Sequence, residues 1–226
     1  MADTESVDKP RTPPGFTPEQ MAAIFQQFEV TLSAFELEQV LKYTRLLEKW
    51  NAKINLTRIV EVRRIYEEHF GESFFLSRFL PERCRSLLDV GSGAGFPGVA
   101  LKILFPRLSL TLVESSLKKV MFLNEVISTL GMAEGANVIQ ARFEQFAGEG
   151  EGAFDAATVR GVKLSQELLD CFLAVLRPAG RLIVTTSLAW AREFQKLRSG
   201  RLTWAEPRPI PSGSSRVVLV GEKRST

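Results

Sequence analysis

The stretch 88-LDVGSGAGFPGVAL-101 constrains this chain more than any other. A short apolar run carries an acidic residue, Asp89, just before glycines at 91, 93 and 95. A fourth glycine, Gly98, follows a proline and opens an apolar helical pattern. Glycine enters left-handed backbone without steric cost, so glycines at alternate positions describe a sharp turn that a ligand can approach closely. A strand, a glycine turn and a helix in that order open an α/β unit.

The rest of the chain agrees with that start. SLLDV, LTLVE, ANVIQ, FDAATV and RLIVTT read as strands. FPGVALKILF, LKKVMFLNEVISTLG and LSQELLDCFLAVLRPAG lie between them and read as helices. Strands alternating with helices predict right-handed βαβ units and a doubly wound, mainly parallel sheet. RVVLVGEK reads as one more strand. WAEPRPIPSGSS before it reads as a loop or edge strand, because proline cannot donate to a central ladder.

Before residue 85 the apolar period is helical. Phe35, Leu37, Val40, Leu41, Leu46, Leu47 and Trp50 recur at helical steps, and Ser33 with Glu36 forms a capping box. A shorter helix is predicted from Thr17 or Pro18 to about Glu29, and another from Val60 to Leu80 with a break near Gly71. The expected division is a disordered tail over 1–18, a helical region over 19–84 and an α/β core over 85–226.

Composition narrows the class. The chain has 226 residues, 45% hydrophobic and 24% charged, enough for a sizeable core. No apolar run reaches the roughly 18 residues of a membrane span. The start, MADTESVDKPRTPPGFTPEQ, is polar and Pro-rich, unlike a signal peptide. Cys84 and Cys171 lack C-x-x-C spacing, and His69 is the one histidine, so no metal site is expected. Two cysteines without a secretion signal suggest reduced thiols and a cytoplasmic protein. The formal charge of +3 permits nucleic-acid contact without establishing it.

The glycine turn stands at the carboxyl end of a strand, where open α/β sheets bind ligands. Its spacing, G-x-G-x-G, departs from the dinucleotide fingerprint. Asp89 is expected to repel a pyrophosphate and attract a cationic ligand. S-adenosylmethionine (SAM), with a sulfonium and an amino group, fits better. Glu114 ends the next strand about 20 residues on, where a carboxylate accepts ribose hydroxyls; Ser115 follows it. Phe143 offers a face for adenine and Glu144 a polar edge, unless Phe143 and Phe146 belong to the core. Phe96 has the same two readings. The expected fold is therefore a Rossmann-like class I SAM-dependent methyltransferase with an N-terminal helical extension.

Several stretches resemble the small-subunit ribosomal RNA methyltransferase G family, also called the glucose-inhibited division protein B family. They are 50-WNAKINLTRI-59, 88-LDVGSGAGFPG-98, 113-VESSLKKVMFLNEV-126, 138-VIQARFEQF-146 and 215-SRVVLV-220. The resemblance implies methylation of guanine N7 in bacterial 16S ribosomal RNA, on the RNA itself or the small subunit. It implies that Gly91, Phe96, Phe143, Glu144 and Arg160 contact SAM. It also implies that Lys118, Arg142, Arg160 and Arg216 form the basic surroundings of the site. Two places depart from the family pattern. The chain reads 184-VTTS-187 where the family has a Lys-Gly pair, and 68-EHFGES-73 where it has R-H-x-x-D-S. Lys163 and Arg192 are candidates to replace the missing lysine.

Guanine N7 carries a free lone pair, so its methylation needs no general base. A donor on N7 would block attack, so a basic residue is expected on O6 or on phosphate. Arg160, directly after the fourth strand, is the candidate catalytic residue. Lys118 opens a helix, where a cation opposes the dipole, so a phosphate contact is weighed against a solvated side chain. His69 reads as helix packing rather than catalysis, and Trp50, Asn51 and Asn55 as a helix end locked to the next segment, weighed against a substrate contact. A monomer is expected. Alternative readings are a SAM-dependent enzyme with another acceptor, and a SAM- and RNA-binding assembly factor without turnover.

Overall fold

The structure is a computed structural model that describes residues 16–148, 152–197 and 200–225. Its centre is an eight-stranded sheet in the order β3-β2-β1-β4-β5-β8-β6, with β7 pairing β8. The strands are β1 Ser86–Val90, β2 Ser109–Glu114, β3 Ala136–Gln140, β4 Phe154–Arg160, β5 Leu176–Ser187, β6 Leu202–Trp204, β7 Arg208–Pro209 and β8 Arg216–Lys223. β1 to β5 run parallel, while β8 pairs β5 antiparallel. Strand order reverses at β1, which lies between β2 and β4. That reversal places a crevice at the carboxyl ends of β1 and β4.

Alternation along the strands builds two cores. Leu87, Leu110, Leu112, Ala156, Ile183 and Val218 face one layer. Leu88, Val113, Ala157, Leu182, Val184, Val217 and Leu219 face the other. A strand apolar on both sides has this signature when helices cover both faces. α5 (Gly98–Leu104) and α6 (Leu117–Thr129) cover the first face. α7 (Phe143–Ala147), α8 (Gln166–Val175) and α9 (Leu188–Phe194) cover the second.

The N-terminal helices join the first core. α1 runs Pro18–Gln26 and α2 runs Ala34–Ile54. The Ser33–Glu36 capping box forms as predicted, and Thr17 with Gln20 makes another. Met21, Phe25, Tyr43 and Leu47 pack into the same cluster as Val99 and Phe122. Most of the predicted tail lies outside the described residues. Its last part is built into the fold: Thr17 caps α1, and the Phe16 ring meets Tyr66 edge-on at 5.4 Å.

Three expectations change. No break occurs at Gly71. α3 (Val62–Arg64) leads into a π-helix, Ile65–Gly71, then α4 (Glu72–Phe75) and a 3-10 turn, Leu76–Phe79. Gly71 is there for close approach, since a Cβ would overlap the Phe28 ring. The fifth strand begins earlier than RLIVTT, with a register irregularity opposite β4 and Ala179 at φ 60°. α9 was not expected; Ser187 caps it by accepting from the Trp190 N–H. Among the described residues, no helix is long and apolar enough to cross a membrane. Among them, too, no cluster of metal-ligating side chains occurs.

Candidate active site

Gly91, Gly93 and Gly95 have φ of 65°, 57° and 84°, so the turn needs glycine at each. Gly91 is exposed and Gly93 half-buried. Glu114 ties this turn to the end of β2. One carboxylate oxygen accepts from the Gly93 N–H at 2.9 Å, the other from the Ser116 N–H at 2.9 Å. Each oxygen keeps lone-pair capacity for a further donor. Ser115 beside it is exposed. Gly95 faces inward instead: a Cβ there would collide with the Tyr43 hydroxyl, which donates to the Ala94 carbonyl. Glycine at 95 thus lets Tyr43 pack beneath the turn.

Asp89 is also turned inward. It is 1% exposed, accepts from the Thr158 hydroxyl at 2.7 Å and from the Gly98 N–H at 3.2 Å. Burial pushes its carboxyl up to about 6. A Cβ on Gly98 would lie 2.8 Å from Asp89, so glycine there lets α5 settle onto the carboxylate. Asp89 braces the turn from below; it is not free to attract a cationic ligand.

Both predicted ring contacts turn out to be core residues. Phe96 is sandwiched between Tyr43 and His69, with centroids 5.0 and 4.8 Å away and planes within 5° and 10°. Phe143 packs on Phe172 at 4.5 Å and leaves 5% of its surface exposed. Glu144 and Arg142, on either side of it, are exposed, as is Lys118. Among the described residues, no ion pair holds Arg142 or Lys118.

At the ends of β4 and β8 lies a charged cluster that sequence reasoning missed in part. Arg160 and Arg216 were expected; Glu68, Glu72, Ser212 and Ser214 were not. Glu72 is 1% exposed. One of its oxygens accepts from Arg216 Nε at 3.0 Å, Ser212 Oγ at 2.8 Å and Ser214 Oγ at 3.0 Å. The other lies 3.7 Å from Arg160 Nη2. Arg160 Nη2 donates to the Glu68 carbonyl at 2.8 Å, and Arg216 Nη2 to the Glu68 carboxylate at 2.6 Å. The π-helix therefore supplies Glu68, and the first residue of α4 supplies Glu72, as the acidic partners of the arginines. A charged residue on an otherwise apolar helix face was the available signal for Glu72.

His69 stays neutral: burial, then the charges of Arg160 and Arg216, push it down to about 3. Its Nε2 lies 2.8 Å from the Thr57 hydroxyl. It packs, as its position on a helix suggested. The Trp50–Thr57 motif is likewise structural. Trp50 Nε1 donates to Glu125 at 2.7 Å, and Asn51 accepts from the Thr57 N–H at 2.8 Å. Asn55 ends α2 at φ 50°. A cleft of 1030 Å³ at this end of α2 is lined by Asn51, Asn55 and Thr57, and by none of the residues predicted to hold SAM.

A smaller cleft, 370 Å³, opens beside Arg160, Thr185, Trp190 and Arg216. Lys163, Thr186 and Ser187 line it as well. Of the two candidates to replace the missing lysine, Lys163 is the one that lines this cleft. Arg192 instead pairs with Glu206 at 2.9 Å.

Comparison with known proteins identifies the family. Residues 36–202 match the family model described as rRNA small subunit methyltransferase G. The ribosomal RNA small subunit methyltransferase G of Streptococcus equi subsp. equi (strain 4047) is 33% identical over 218 residues, covering 92% of each chain. Its counterpart from Streptococcus pyogenes serotype M6 is 34% identical over the same 92% of each. Among solved structures, an rRNA methylase from Streptococcus thermophilus superimposes with a TM-score of 0.52 at 17% identity, over 68% of this chain and 94% of that one. The pyocyanin biosynthetic protein PhzM gives 0.57 at 16% identity, over 72% and 57%. These structural likenesses establish the class I methyltransferase fold. With a family model spanning most of its length and relatives this similar from end to end, the chain belongs to the rRNA small subunit methyltransferase G family.

Proposed function

We propose that this protein transfers a methyl group from SAM to N7 of a guanine in 16S ribosomal RNA. The observation that carries the reading is the pairing of two features at one edge of the sheet, in a chain of this family. One is the glycine turn tied to Glu114; the other is Arg160 at the adjacent strand end.

The residues present fit SAM. Gly91 and Gly93 leave backbone open to a ligand, and Glu114 has acceptor capacity for ribose hydroxyls. Exposed Ser115 directly follows β2, and exposed Glu144 lies in the first turn of α7, after β3. When bound, SAM supplies an electrophilic methyl group on a sulfonium. The protein's own task is alignment, the removal of water and control of charge.

From bound SAM, the methyl carbon would pass to the N7 lone pair, with the carbon–sulfur electron pair left on sulfur. No proton moves, so the neutral, buried His69 is not called upon. Arg160 is placed to donate to O6, leaving the N7 lone pair free. The product guanine is cationic. Glu72 and Glu68 balance Arg160 and Arg216, which keeps the positive field at the ring low. Lys118 and Arg142 face solvent and are suited to phosphates, so RNA binding should weaken with salt. We further assign the helices before residue 85 to shaping the substrate side, and the setting to a cytoplasmic monomer acting on the RNA or the small subunit.

Arg160→Ala tests the assignment. It should cut methyl transfer by at least about 10²-fold, as loss of one positioned charge-stabilising donor does. SAM affinity by calorimetry should change far less. Unchanged turnover would remove Arg160 from the chemistry.

A further inference from the structure

The 370 Å³ cleft beside Arg160 is not accounted for by the SAM site. It lies at the carboxyl ends of β4 and β5, along the same edge as the glycine turn. Its volume sits at the small end of ligand pockets, about 300–1,000 Å³, suiting one nucleoside better than a strand.

Two walls differ in chemistry. One is apolar and flat: Trp190 is 43% exposed, with Phe194 behind it at 5.9 Å. The Trp190 ring is covered by Lys163, whose Nζ stands 5.0 Å from the ring centroid. Lys163 is exposed and long, so it can withdraw without disturbing the fold. The other wall is polar and unsatisfied. Thr185 is 3% exposed, and its hydroxyl has no partner among the described residues. Arg160 Nη1 is buried and likewise without a partner, although Nη2 is held by the Glu68 carbonyl. A buried donor left unpaired is costly, and both of these residues belong to the lining of this cleft.

We propose that this cleft receives the target guanine, splayed from the RNA and stacked on Trp190, with O6 met by Arg160 Nη1 and the Thr185 hydroxyl. The proposal rests on the methyltransferase reading and deepens it by naming the base subsite. Arginine can only donate, so a 6-oxo purine satisfies it and the 6-amino group of adenine does not. With the donors on O6, N7 is left without one. Lys163 moves from the ring face to the RNA phosphates as the base enters. A phosphate alone would not use the aromatic wall, which is why a base is the better occupant.

GMP and AMP titrated against the intrinsic tryptophan fluorescence of the full chain test this. Of the three tryptophans, Trp50 and Trp204 lie outside the cleft. GMP should quench saturably and at lower concentration than AMP, and Trp190→Phe should abolish the quench. Trp190→Ala should raise KM for RNA about tenfold or more, as loss of one stacked base does, with Trp190→Phe recovering most of it. SAM affinity should not change. A GMP quench that survives in Trp190→Phe, equal response to AMP, no response at all, or an unchanged KM in Trp190→Ala overturns the assignment. The partial exposure of Trp190 keeps both variants foldable. If the wild type transfers no methyl group to 16S RNA, the functional reading fails, yet the nucleotide titration still judges the cleft.

Discussion

At the scale of residues, the site is a set of charges with assigned partners. Glu72 is the most constrained of them, buried and receiving two arginines and two serines. Removing it leaves Arg216 and Arg160 short of a counter-charge. Glu72→Ala should therefore destabilise the protein by about 3–5 kcal/mol in urea unfolding, the usual cost of breaking a buried pair from one side. A cost below about 1 kcal/mol, the range of exposed pairs, would show the cluster to be solvated. His69 and Asp89 bend the pH dependence in opposite directions. His69, held down to about 3, binds no proton in the folded state where the unfolded chain binds one. It contributes stability above about pH 6.5 that is lost as pH falls towards 3. Asp89, raised to about 6, does the reverse: stability falls as pH rises from the ordinary carboxylate range to about 6. Between about pH 6 and 4 the two slopes oppose and largely cancel, so the His69 contribution is read from a difference. Relative to wild type, His69→Phe, which keeps a ring beside Phe96, should lose less stability as pH falls from 7 to 4. The same pH dependence in both proteins would show that His69 contributes none of it.

At the scale of elements, much was legible. The period-2 and helical patterns located β1, β3 and β8 to the residue, and the Ser33–Glu36 pair marked the start of α2. Arg160 was legible because a strand end is a place that a pattern can find. The orientation of Asp89 was legible too, but went unused. It alternates with Leu88 and so shares the face of Leu87, beneath α5. Glu68 and Glu72 were hidden for a different reason. They reach Arg160 and Arg216 through long-range pairings across a π-helix, and no local pattern encodes such a register. Gly71 misled in the same region, because a glycine that lets Phe28 approach reads like a glycine that ends a helix. Gly71→Ala should cost about 1–3 kcal/mol by overpacking, measurable as a lowered urea midpoint with an unchanged slope. A neutral or stabilising result, as helix propensity alone predicts, would show that the ring moves aside freely.

At the scale of the whole molecule, the division expected at residue 85 separates two sequence patterns but not two cores. Tyr43 of α2, Phe70 of the π-helix, Phe96 after the glycine turn and Phe122 of α6 form one aromatic cluster. Through it, the helices that carry Glu68 and Glu72 are fastened to the turn assigned to SAM. Cofactor turn, arginine cluster and base cleft thus lie along one sheet edge, the turn backed by the first core and Phe194 of the cleft by the second. The central claim, guanine-N7 transfer to 16S RNA, is tested most directly on small subunits and naked 16S RNA from a strain lacking this gene. These would be incubated with the purified protein and methyl-labelled SAM, then digested to nucleosides. Label recovered as 7-methylguanosine from 16S RNA, and absent from 23S RNA, is the predicted result. Label in another nucleoside, or none despite SAM binding, would contradict it.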